Sequence, residues 1–139
     1  MLFRSSRVRS VRQLVRLTGH DAYLGTINTK ANPVRDRRIA LGLHHELSQA
    51  NAGRIRFLPL RRALPDESAV ARLASMAGAT HLASQPFADL TVPELVGGVD
   101  QDVDVIVIQR NRDLRKDVLE AVSALQRSNR KLAGVLLIS

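Results

Sequence analysis

The chain has no cysteine and no tryptophan. Without cysteine, disulfides, thiolate metal centres and cysteine nucleophiles are excluded together. Aromatic residues are few, only Phe3, Tyr23, Phe57 and Phe87. The core must therefore be built from Leu, Ile, Val and Ala, and stacking platforms for nucleic-acid bases are scarce. No apolar run approaches the roughly 20 residues of a membrane-crossing helix. The basic N-terminus, MLFRSSRVRS, has no apolar stretch behind it and does not read as a signal peptide. Phosphate-binding patterns are missing as well: neither GxGxxG nor a Gly-rich loop ending in Lys-Ser/Thr occurs.

What is present is a chain of 139 residues, 45% hydrophobic, long enough for one domain with its own core. Its charge of +8 is uneven. Residues 1–62 carry 13 Lys/Arg against Asp21, Asp36 and Glu46, whereas residues 63–139 carry 8 against 10 Asp/Glu. Eighteen of the 21 basic residues are arginine. A basic half joined to a near-neutral half points to an anionic partner: lipid headgroups, nucleic acid or an acidic protein.

The last third reads as strand–helix–strand. Val103–Ile108 is a β-branched run of strand length. Asn111, Arg112 and Asp113 offer helix caps, and Leu114, Val118, Ala121, Val122 and Leu125 recur at helical spacing. Leu132–Ile138 is a second buried run. Parallel strands covered on both faces have this continuous apolar character. Upstream, Ser10 caps a short helix over Val11–Leu17 that Gly19 stops. Tyr23–Ile27 is a short extended piece, and a helix spans Val34–Ala50. Arg54–Leu60 alternates like a strand, with Pro59 placing its end near an edge or loop. A helix follows over Asp66–Ala77, then a weak strand over Thr80–Ser84. Thr91 and Glu94 have capping-box spacing for another short helix. The alternation predicts an α/β three-layer sandwich with a small, mainly parallel sheet.

In such a fold the turn after a strand cradles phosphates with backbone N–H groups and a lysine. After Arg54–Leu60 that turn reads Arg61-Arg62-Ala63-Leu64-Pro65-Asp66-Glu67-Ser68. It has no glycine and no lysine, and Asp66 and Glu67 would repel a phosphate. Asp100, Asp102 and Asp104 cluster before a strand; a solvated turn is expected there, with a weak cation site as the lesser reading. His44-His45-Glu46 is expected to be structural, because adjacent helical residues point about 100° apart and no HExxH follows. His81 reads as packed rather than catalytic. Ser68, Ser75 and Ser84 lack a nucleophile-elbow setting.

Three stretches resemble the cytoplasmic part of polysaccharide co-polymerases and bacterial tyrosine autokinases, the chain-length determinants of capsule and exopolysaccharide export, whose kinase domain is related to the MinD/ParA ATPases. Arg9 to Leu14, Leu17-Thr18-Gly19 and Leu24 to Ile27 resemble the segment just inside that family's last membrane helix. Leu82-Ala83-Ser84-Gln85-Pro86 resembles its strand ending in Asp-Thr-Pro-Pro, and Val103 to Ile138 resembles its closing unit. The departures are consistent with one another. The P-loop is gone, Ser84 stands at the family's Asp, and Tyr23 is the only tyrosine where the family has a tyrosine-rich tail. The family's E-x-x-R-x-x-R contact helix is represented by Arg35, Arg38 and Leu41, so Arg35 and Arg38 are candidate subunit contacts in a homo-oligomer.

The resemblance implies a P-loop-NTPase-like fold without nucleotide motifs. Residues 1–33 would be a basic juxtamembrane-like segment and residues 34–139 a degenerate kinase-like domain. The implied protein is a non-catalytic cytoplasmic module at the inner face of the cell membrane, working in polysaccharide chain-length control with no cofactor or metal. Its implied partners are membrane-embedded polysaccharide export or polymerisation proteins or an anionic lipid surface. Arg4, Arg7, Arg9, Arg12 and Arg16 are the candidate anionic-surface contacts, with Arg9, Arg12 and Arg16 on one helical face. Arg61, Arg62, Asp66, Glu67 and Ser84 mark the degenerate phosphate-loop region. The alternative is a basic MinD/ParA-like regulator that binds nucleic acid or a membrane surface, with nucleic acid the less favoured partner.

Overall fold

A computed structural model describes residues 6–97 and 101–139. Among the described residues five α-helices and five strands alternate: α1 (Val11–Thr18), β1 (Tyr23–Ile27), α2 (Pro33–Ala50), β2 (Arg54–Pro59), α3 (Ser68–Met76), β3 (Thr80–Leu82), α4 (Val92–Val96), β4 (Asp102–Gln109), α5 (Arg115–Arg127) and β5 (Lys131–Ile138). The strands form one all-parallel sheet in the order β1-β5-β4-β2-β3. The α/β three-layer reading therefore holds.

The layers follow from which strand faces are apolar. Ile55, Phe57, Val103, Val105 and Val107 point to one side and meet Ile39, Leu43 and Leu47 of α2 and Val70 and Leu73 of α3. Leu58, Leu60, Ile106 and Ile108 point to the other and meet Leu14 of α1 and Val118, Ala121 and Leu125 of α5. Phe87, Leu90 and Leu95 complete that second layer around α4. A two-residue side-chain period with helices on both faces makes β4 buried along its whole length.

Local signals behave as their chemistry dictates. The Ser10 hydroxyl accepts from the Gln13 N–H at 3.2 Å and starts α1. Asn32 caps α2 with Pro33 in the first turn, and Asn51 ends it in the left-handed region at φ 51°. Thr91 and Glu94 close both halves of a capping box on α4. Two boundaries differ from expectation by two residues. The third strand stops at Leu82 rather than Ser84, and α3 begins at Ser68 because Asp66 holds the preceding turn by accepting from the Ser68 N–H at 2.9 Å.

Residues 6–33 are built into the same sheet. β1 is an edge strand on β5, and Leu14 and Ile27 are fully buried. Ahead of α1, Val8 is also fully buried. Its N–H donates to Asp113 O and its carbonyl accepts from the Asn111 N–H, both at 2.8 Å. Residues 6–9 thus run as a strap along the β4–α5 turn, with one antiparallel bridge between Arg7 and Leu114.

The acidic cluster overturns the solvated-turn expectation. Asp104 is wholly buried and Asp102 nearly so. Both lie on β4 facing α4, opposite Arg56 and Arg54 on β2. Arg56 reaches Asp104 through Nε at 3.0 Å and Nη2 at 3.1 Å, and Arg130 reaches it through Nε at 2.6 Å and Nη2 at 2.8 Å. Arg54 pairs with Asp102 at 2.7 Å. Guanidinium groups fill the coordination that a cation would otherwise supply. Asp100 lies outside the described residues.

Candidate functional site at the carboxyl edge of the sheet

The connections after β1 and β2 pass under the α2/α3 face, and those after β3 and β4 pass under the α4/α5 face. The helices that follow the neighbouring strands β2 and β4 thus leave in opposite directions. A crevice opens between such strands at their carboxyl ends, the usual ligand position in an open parallel sheet. Here it is a cleft of about 220 Å³ lined by Arg7, Arg61, Arg62, Gln109, Arg112, Asp113, Leu114 and Asp117.

Three chain segments supply its four arginines: the strap gives Arg7, the exit of β2 gives Arg61 and Arg62, and the β4–α5 turn gives Arg112. Arg61 is fixed by a two-point pair with Asp117, Nε to Oδ2 at 2.7 Å and Nη2 to Oδ1 at 3.0 Å. This pairing raises the Arg61 pKa further above its ordinary value. Asp117 is buried in the first turn of α5, where a carboxylate also suits the helix dipole. The side chains of Arg7, Arg62 and Arg112 make no hydrogen bond or ion pair with any described residue.

Asp113 was expected to help cap α5. Instead Leu114 is the N-cap residue, and the Asp113 carboxylate accepts from the Gln109 N–H at 2.6 Å, closing the turn. Burial pushes its pKa up, the Gln109 N–H opposes that, the charge of Asp117 adds to the rise and that of Arg62 lowers it.

The degenerate phosphate-loop residues separate into two places. Arg61 and Arg62 enter the cleft. Asp66 is turned back on α3, where the Ser68 N–H and hydroxyl hold its pKa low. Glu67 accepts from the N–H of Ser84 at 3.1 Å and from its hydroxyl, tying the exit of β3 to the start of α3.

The other sequence candidates sit elsewhere. Arg4 lies outside the described residues. Arg12 and Arg16 are exposed on α1. Arg9 precedes the helix rather than sharing its face: its N–H donates to Gln13 Oε1 at 2.7 Å and its carbonyl accepts from Arg110 Nε at 2.8 Å. Arg35 is bound within its own chain to Asp36 and the Lys30 carbonyl, whereas Arg38 is exposed beside Val34 and Leu41. Asp36 also pairs with Arg72 of α3 at 3.1 Å. Burial pushes the Asp36 carboxyl up, but the Asn32 N–H, Arg35 and Arg72 outweigh it and hold it low. His44 donates through Nδ1 to the Ala77 carbonyl at 3.0 Å, and Glu46 pairs with Lys131. The His81 ring meets Phe57 edge-on.

A second hollow of about 340 Å³ lies at the amino end of β2 and β4, under α4. Its arginines are committed: Arg54 to Asp102, and Arg56 to Asp104 and to the carbonyls of Glu94 and Leu95. In the carboxyl-edge cleft Arg7, Arg62 and Arg112 converge with no hydrogen-bond or ion-pair partner among the described residues. Sequence reasoning found Arg7, Arg61 and Arg62 but missed Arg112, Asp113 and Asp117 as their companions; two arginines beside an aspartate at a strand exit were the available signal. Among the described residues no helix is long and apolar enough to cross a membrane, and no group of three His, Asp or Glu side chains is placed to hold a metal ion. No protein-family model matches the chain, and no curated protein matches it.

Proposed function

We propose that this protein is a non-catalytic interaction module of polysaccharide chain-length control, seated at an anionic surface by its N-terminal arginines. The link to polysaccharide export rests on the sequence resemblance. The observation that carries the non-catalytic reading is the occupancy of the turn after β2. The first N–H of α3 is taken by Asp66, and Glu67 is taken by Ser84. A triphosphate at that turn would meet two carboxylates and no lysine. The surface reading is supported by α1, which packs Leu14 onto α5 and leaves Arg12 and Arg16 in solvent.

Calorimetric titration with Mg-ATP tests the first part. Absence of saturable micromolar binding is the expected result, and saturable micromolar binding overturns it. Co-sedimentation with vesicles tests the second. Anionic vesicles should retain the protein and neutral ones should not. Replacing both Arg12 and Arg16 by alanine should weaken retention about tenfold or more, at ~1 kcal/mol per basic residue near the surface.

A further inference from the structure

We infer that the carboxyl-edge cleft is a binding site for a phosphate monoester group, held by the side chains of Arg7, Arg62 and Arg112. This does not rest on the polysaccharide reading. Three guanidinium groups from separate segments converge there with no described side chain bonded to them. Like charges brought together in a partly enclosed space raise the energy of the empty site, and an anion with several acceptor oxygens relieves it.

The two carboxylates of the lining do not cancel this. Asp117 is neutralised by the two-point contact with Arg61, and Asp113 is directed at the Gln109 N–H. The four arginines still outnumber the two aspartates. Arg61, locked to Asp117, serves as a fixed wall rather than as a ligand-binding arm.

Size narrows the ligand. About 220 Å³ is below the roughly 300 Å³ at which pockets for drug-sized molecules begin. The cleft suits a phosphoryl headgroup, with whatever carries it left outside. Arginine forks fit the three terminal oxygens of a monoester better than the two of a diester. The strap adds a further condition. Arg7 reaches the cleft only while Val8 is buried and bonded to the β4–α5 turn, so the site depends on contact between residues more than 100 positions apart in sequence.

Two probes separate the sources of such a group. Inorganic phosphate reports a soluble ligand, and phosphatidylcholine vesicles with or without phosphatidic acid report a lipid headgroup. The wild type is compared with Arg62→Ala/Arg112→Ala, with the charge-keeping Arg62→Lys/Arg112→Lys, and with Arg12→Ala/Arg16→Ala on α1. The cleft alanine pair should weaken binding of at least one probe by about tenfold or more, since charged hydrogen bonds are lost. The lysine pair should recover only part of it, because the forks are gone. The α1 pair should leave phosphate binding unchanged. Weakened phosphate binding with unchanged phosphatidic-acid vesicle binding in the cleft variants assigns a soluble ligand, and loss of phosphatidic-acid vesicle binding in them assigns a lipid. Absence of binding to both probes overturns the site, as does equal binding by the wild type and a cleft variant shown by circular dichroism to be folded.

Discussion

Replacing Asp104 by alanine leaves two buried guanidinium groups without their anion. Asp104 has no solvent exposure and accepts four hydrogen bonds, two from Arg56 and two from Arg130, at 2.6 to 3.1 Å. Among the described residues Asp102 also approaches Arg130, at 3.5 Å, but is already paired with Arg54 at 2.7 Å. Breaking a buried ion pair on one side costs about 3–5 kcal/mol, because the remaining charge stays desolvated. Set against a net stability of about 5–15 kcal/mol, that is a large fraction of the total. At ~3 °C per kcal/mol for a chain of this size, the melting midpoint should fall by about 10–15 °C.

Urea unfolding followed by circular dichroism is the assay, with a lowered midpoint and an unchanged slope expected. Asp104→Asn separates charge from volume, since it fills the same space but turns a donor toward guanidinium; it should still lose more than about 2 kcal/mol. Arg56 and Arg130 also donate to the carbonyls of Glu94, Leu95 and Gly97. Amide exchange in α4 should accelerate in both variants. A loss below ~1 kcal/mol, the worth of an exposed pair, would refute the buried-cluster argument.

Three further outcomes follow from single contacts. Thr91→Ala removes one half of the α4 capping box and should lower stability by about 1 kcal/mol in the same urea assay. Gly134→Ala would place a methyl 2.5 Å from the Ala22 carbonyl at a backbone φ of +154°, so a loss above about 2 kcal/mol is expected, read as a lower midpoint or poor soluble yield. Asp113→Asn addresses pH: the wild-type carboxyl titrates above the ordinary aspartate value of about 3.9, so the folded state holds its proton more tightly than the unfolded chain. The wild type should therefore lose stability relative to Asp113→Asn as pH rises from about 4 through the raised value. Parallel pH profiles for the two proteins would contradict that assignment.

The fold was legible because its signals are local. The β-branched run in β4, the serine and threonine caps and the strand–helix alternation all act within a few residues, so the layer architecture could be read directly from them. Asp102 and Asp104 could not be placed the same way. Their partners Arg54 and Arg56 lie 48 residues back and Arg130 lies 26 residues on. In sequence they form an isolated acidic patch, and only strand register puts arginine opposite each. Asp113 failed as a predicted cap for a similar reason, since the strap lies across that end of α5 and the Arg115 N–H donates to Ser6 O instead. The cleft itself was half visible. Arg61 and Arg62 stood at the right strand exit, but Arg112 joins them only because β4 lies next to β2, and Arg7 only because the strap crosses the turn.

The strand order also sets a schedule for synthesis. Among the described residues β1 pairs with no strand except β5, which follows the other four in the chain, and β5 fills the space between β1 and β4. A ribosome-bound chain can pair β2 with β3 and then with β4, but β1 must wait through more than 100 residues for its only neighbour. Until then Tyr23–Ile27 exposes both of its hydrogen-bonding edges. Arrest just before residue 131 should therefore leave β1 as the segment most available to a chaperone, and release of the eight residues of β5 should bury it in a single closing step.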